Sequence, residues 1–124
     1  MRSPQKLAED YIEVWNERDA QQRNAALAAT WTEDATYVDP LMRGDGRAQI
    51  SDLIAAVHER FSDFQFSLLG AVDGYGDVVR FCWGLGPDGG QAIVKGTDFV
   101  RRTGDRIASV TGFLDQLSGP GEAE

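Results

Sequence analysis

The reading of FQFSLLGAVDGYGDVVRFCWGLGPDGGQAIVKGTDFVRRTGDRIASVTGFLD, residues 64–115, decides the fold. Phe64, Phe66 and Leu68 alternate with polar neighbours, which is the period of a half-buried strand. Asp73-Gly74-Tyr75-Gly76-Asp77 is a turn cluster, and residues 78–85 are rich in β-formers. Gly86-Pro87-Asp88-Gly89-Gly90 then turns the chain again. Residues 91–102 and 106–115 make two further strands around Thr103-Gly104-Asp105. Strands joined by such tight turns pair as an antiparallel meander.

Working back toward the N-terminus, the period changes to that of helices. Ser3-Pro4 couples a hydroxyl cap to a proline at the first helical position. Leu7, Tyr11, Val14, Trp15 and Arg18 follow on one helix face. Asp19 can cap a second, alanine-rich helix that runs to about Thr30, with Leu27 and Trp31 on its buried side. Thr32-Glu33-Asp34 reads as a turn, residues 35–39 as a short strand stopped by Pro40, and Gly44-Asp45-Gly46 as another turn. Ile50, Leu53, Ile54, Val57 and Phe61 mark a third helix over residues 47–61. The order predicts an α+β fold: three helices packed on one face of a curved antiparallel sheet that leaves a cone-shaped cavity. The expectation is one domain over residues 1–117 and a flexible tail over 118–124.

Composition narrows the function. The chain has 124 residues, 42% hydrophobic and 26% charged, which suits one folded core. Twelve Lys+Arg stand against twenty Asp+Glu, for a net charge of −8, and the deficit is spread over both halves. No basic stripe is present to neutralise phosphates, so neither nucleic acid nor an anionic membrane is an expected partner. Apolar runs are too short to span a bilayer, and acids interrupt the N-terminal stretch that a signal peptide would keep apolar. A cytoplasmic location is the expectation.

Several motifs fail. Gly84-x-Gly86-x-x-Gly89 matches a dinucleotide fingerprint in letters, but it opens into a strand and offers phosphate no helix N-terminus. His58 is the only histidine, so paired-histidine metal sites are excluded. Cys82, the only cysteine, lies in an apolar strand and reads as a core thiol.

The stretches YIEVWNERD, WTEDATYVDP, GTDFVRR and RIASVTGFLD together resemble the NTF2-like (cystatin-like) superfamily, and within it the SnoaL-like and ketosteroid-isomerase-like members. The resemblance covers roughly residues 5–117. It implies a curved, mixed but mainly antiparallel sheet around a pocket, a small hydrophobic ligand, a homodimer and no cofactor or metal. By the same resemblance Asp39 falls at the position of a catalytic base. Tyr11 and Asp98 fall at the positions of two donors to a substrate carbonyl oxygen. A carboxylate beside an acidic C–H moves the proton, and two donors stabilise the enolate that forms. In ketosteroid isomerases an apolar site keeps the donating carboxylic acid neutral.

Arg80 resembles an arginine that many SnoaL-like relatives place on the pocket side, where it would meet Asp98. With Asp115 it also resembles part of the Asp–Arg–Asp arrangement by which limonene-epoxide hydrolases activate water, although Cys82 replaces one acid, for which Asp98 would have to substitute. Met42 and Trp31 complete the candidate substrate contacts. Each residue has a plainer reading as well: Tyr11 and Trp31 as core, Asp39 as a strand-ending side-chain turn, Asp115 as a solvated charge. Isomerase- or cyclase-type catalysis, hydrophobic ligand binding without turnover, epoxide-hydrolase-like water activation and a dimeric association module all stay open.

Overall fold

The computed structural model describes residues 2–117. Helix α1 spans Pro4–Asn16, and its N-cap Ser3 accepts a hydrogen bond from the Lys6 amide. Leu7, Ala8, Tyr11, Val14 and Trp15 are its buried side. Helix α2, Ala20–Thr30, is capped by Asp19, which accepts from the Gln22 amide. Helix α3, Arg47–Arg60, buries Ile50, Ser51 and Ile54. Buried Arg23 on α2 ties the helical layer together. Its Nε donates to Ser51 Oγ at 3.0 Å and another guanidinium nitrogen to the Glu17 carbonyl at 2.9 Å.

The sheet has six strands: β1 Trp31–Val38, β2 Arg43–Asp45, β3 Phe64–Tyr75, β4 Val78–Pro87, β5 Val94–Thr103 and β6 Arg106–Gln116. Their spatial order is β2-β1-β6-β5-β4-β3. β3 through β6 form the antiparallel meander, while β1 lies parallel to β6 and so joins the N-terminal half to the last strand. Register shifts interrupt β3–β4 between Leu69 and Asp73, and β5–β6 at both ends. Such irregularities bend strands, and the sheet curls around the helices. This is the three-helix, mixed-sheet α+β architecture expected above.

Local differences have local causes. Gly44-Asp45-Gly46, expected as a turn, lies largely in β2, whose residues Arg43–Asp45 pair with Thr36–Val38. Thr32-Glu33-Asp34, also expected as a turn, belongs to β1. The β1–β6 register shifts between Trp31 and Thr36, so these polar residues sit in an irregular stretch of strand. The fifth strand starts at Val94 rather than Gln91. The expected flexible tail, residues 118–124, lies outside the described residues.

Strand parity sets the two faces of the sheet. Val79, Phe81, Trp83 and Leu85 of β4 turn inward. Arg80 and Cys82 turn outward and are exposed. Cys82 is therefore not a core thiol; its sulfur lies 3.4 Å from Thr97 Oγ1 on the outer face. Among the described residues, no helix is long and apolar enough to cross a membrane.

Candidate active site

A cavity of about 580 Å³ opens between α1, α3 and the concave face of the sheet. That volume suits a small organic ligand. Its walls are mainly apolar and aromatic, with Ile12, Trp15, Val57, Phe66, Leu85 and Leu114 among them. Its polar groups are few and converge.

Asp98 lies at the floor. It sits on β5 directly across from Phe81 on one side and Gly112 on the other, and only 1% of it is exposed. The Tyr11 hydroxyl donates to its Oδ2 at 2.5 Å. Oδ1 is buried with no hydrogen-bond partner among the described residues, as is the indole nitrogen of Trp83. Burial pushes the Asp98 carboxyl up to about 6, against the opposing effect of Tyr11 and the nearby Trp83 N–H; the charges of Asp39 and Asp115 add to the rise. Tyr11 is itself held far above the usual phenol range, first by burial and then by the charge of Asp98. Aromatic neighbours fix its ring: Trp31 stacks at 5.8 Å and Phe81 meets it edge-on at 5.0 Å.

Asp39 follows the end of β1. Its Oδ1 accepts from the amides of Leu41 and Met42 at 2.8 and 2.9 Å, and its Oδ2 from the Tyr37 hydroxyl at 2.7 Å. The carboxylate thus closes the turn after β1, and that turn carries Leu41 and Met42 to the pocket. Tyr37, two residues earlier on the same strand face, is raised by burial and by the charges of Asp98 and Asp39.

Gly112 joins the two carboxyl groups. A methyl group placed there would stand 2.7 Å from Asp98 Oδ1, 3.3 Å from Asp39 Cβ and 3.5 Å from the Tyr37 hydroxyl. The bare backbone leaves room for the free oxygen of Asp98. On the neighbouring strand Gly96 makes room for Trp83, since a Cβ there would overlap its ring.

Tyr11, Asp98, Asp39 and Met42 therefore meet at one cavity, and three other sequence candidates do not. Arg80 is on the outer face, 3.2 Å from Asp73, and makes no pair with Asp98. Its strand neighbours Val79 and Phe81 take the inward positions, so parity sends Arg80 out. Asp115 is also exposed there and accepts from Thr97 Oγ1 at 2.7 Å, because Leu114 takes the inward position. The Asp–Arg–Asp arrangement is thus not assembled. Trp31 is fully buried behind Tyr11 and supports that ring without lining the cavity. The sequence reading missed Tyr37, Gly112 and the rim residue Arg60. Tyr37 had a signal: two positions from Asp39 on a strand, it shares that residue's face.

A family model for the SnoaL-like domain matches residues 8–110. A SnoaL-like protein of Agrobacterium tumefaciens, provisionally called an isomerase, is 40% identical, with a TM-score of 0.84 over 89% of this chain and 95% of that one. Two more distant structures show the same fold. One, from Kribbella flavida and provisionally called a ketosteroid isomerase, is 20% identical (TM-score 0.69, over 97% of this chain and 83% of that one). The other, from Jannaschia and provisionally called a SnoaL-like polyketide cyclase, is 17% identical (TM-score 0.69, over 93% and 90%). Among curated proteins, none matches significantly.

Proposed function

The chain belongs to the SnoaL-like family, and we propose that it performs cofactor-free acid–base chemistry on a small, largely apolar carbonyl compound. One observation carries this reading: buried Asp98, with Tyr11 on one oxygen and its other oxygen free, shares an apolar cavity with Asp39. Protonated Asp98 donates from its free oxygen to the substrate carbonyl. Tyr11, bonded to the other oxygen, strengthens that donation. Asp39, oriented by its three donors, takes a proton from the carbon beside the carbonyl. The enolate then either regains the proton at another carbon, which isomerises the substrate, or attacks a second carbonyl carbon within it, whose C=O π electrons pass to oxygen and take up the proton held by Asp39, which closes a ring.

Proton transfer can be tested without the natural substrate. Cyclic enones incubated in D2O should gain deuterium beside the carbonyl faster with the protein than without it. Asp39→Asn should slow that exchange by about 10²- to 10⁴-fold, the usual worth of a positioned base. No acceleration for any enone that binds would sink the reading.

A second reading has its own observation. Three hydrogen bonds on Asp39 are also what a turn-closing side chain needs, and a binder would use the same cavity without turnover. Ligand recovered unaltered after prolonged incubation supports it. The homodimer implied by the resemblance would use the outer sheet face, where Phe99 and Phe113 are exposed and pack edge-on at 5.8 Å. Sedimentation velocity, with Phe113→Ser as the disrupting variant, tests that separately.

A further inference from the structure

We infer that the substrate carries a carboxylate at the end facing the pocket mouth, and that Arg60 binds it. The inference rests on the proton-transfer reading for which end of the ligand lies on the floor.

Charge usage in the chain points to Arg60. Most basic side chains are engaged. Arg2, Lys6, Arg43, Arg80 and Arg101 pair with carboxylates. Arg18, Arg23, Arg47 and Arg102 donate to backbone carbonyls. Arg60, like Lys95 and Arg106, makes no side-chain hydrogen bond or ion pair among the described residues, although the chain carries twenty acids. It is also the one basic residue among those lining the cavity.

Its position is at the rim. Arg60 ends α3 and is exposed, whereas Tyr11, Tyr37 and Asp98 at the floor are buried. Its guanidinium lies 5.7 Å over the ring of Phe61, another lining residue, which itself stacks on Phe64 at 5.3 Å. The apolar lip thus places an aromatic ring under the cation and leaves its N–H donors unspent. Two parallel N–H donors match a carboxylate.

The rest of the pocket sharpens this. Its other Asp, Glu, Lys or Arg lining residues are Asp39 and Asp98, both acids, and the chain carries a net charge of −8. Arg60 is the one cation a ligand carboxylate meets among the lining residues, whereas the base Asp39 lies at the inner end. The ligand would therefore enter in one orientation, carbonyl inward and carboxylate outward. Arg60 has a plainer role too, as a cation in the last turn of α3 that complements the helix dipole. That role does not depend on what is bound, so ligand selectivity separates the two.

The probes are ω-(4-hydroxyphenyl)alkanoic acids of increasing chain length and their methyl esters, because a phenol offers the floor the same oxygen an enolate would. Affinities are read by calorimetry. At the length that spans floor to rim, the acid should bind about fivefold more tightly than its ester, the upper range for a solvent-accessible ion pair. Arg60→Gln should erase that preference while leaving ester affinity and the melting temperature nearly unchanged. Arg60→Lys should keep part of it, and high salt should shrink it. Esters that bind with no preference for the acid at any length, or a preference that survives Arg60→Gln, overturn this inference alone. Failure of acids and esters alike overturns it together with the floor assignment.

Discussion

The sheet carries carboxylates on both faces, and the two faces treat them oppositely. On the outer face Asp73 meets Arg80 at 3.2 Å, and in the β3–β4 turn Asp77 meets Arg101 at 2.9 Å, with all four side chains more than half exposed. On the inner face Asp98 meets a phenol, an unsatisfied indole and no cation. An exposed pair contributes about 0–1 kcal/mol. A buried carboxyl denied a cation has its proton held into the range where it can be donated. Acids are abundant in this chain; what distinguishes Asp98 is burial without a basic partner.

The largest test of that contrast is Asp98→Asn. If protonated Asp98 is the donor, kcat/KM for exchange should fall as pH rises through about 6 in the free enzyme. The Asp98→Asn variant should lose about 10²-fold at acid pH and lose that pH limb with it. A rate that instead rises through the same pH would make Asp98 the base. Stability gives an independent readout. The folded carboxyl is raised, so the cost of ionising it is absent below the ordinary carboxylate range near pH 4. That cost grows between pH 4 and 6 and is fully present above 6. At pH 7.5 Asp98→Asn should therefore be more stable than the wild type, by on the order of 3 kcal/mol, and near pH 4 about equal. Denaturant melts at the two pH values check it.

Gly112→Ala comes next. Its methyl group would crowd Asp98 Oδ1, so about 1–3 kcal/mol of stability should be lost together with phenol affinity. Unchanged affinity would mean that the free oxygen of Asp98 is not where the ligand binds. Tyr37→Phe should be milder: one of three bonds to Asp39 goes, so kcat should drop by roughly tenfold at little change in KM. On the outer face, Arg80→Gln should change stability by no more than about 0.5 kcal/mol and exchange not at all. An activity loss there would break the contrast between the faces.

How much of this was legible beforehand follows the same division. Helix caps at Ser3 and Asp19 could be read because each is a local bond between near neighbours in sequence. The meander could be read because its turns are glycine-rich. The face of Arg80 was also legible, since Val79, Phe81, Trp83 and Leu85 are all apolar and can only share the buried parity. Resemblance to relatives argued the other way, and parity won. Asp98 stood out as an acid within an apolar strand. Its bond to Tyr11 spans 87 residues, and no local pattern encodes such a distance. β2 was lost to the opposite error, because glycines that suit a turn also suit a short edge strand packed beneath α3. Gly44 there lies within reach of Leu53 and Ile50.

The parallel pairing of β1 with β6 also imposes an order in time. Asp39 leaves the end of β1, and Gly112 arrives on β6, more than seventy residues later. On a ribosome the three helices and the first strands emerge while that partner strand is still unmade, with β1 lacking its neighbour. Pairing across such a separation closes a long loop and comes late in folding. Asp39, Asp98 and the glycine floor between them are thus assembled by the final described strand, and a nascent chain arrested before β6 would hold both acids without the wall that brings them together.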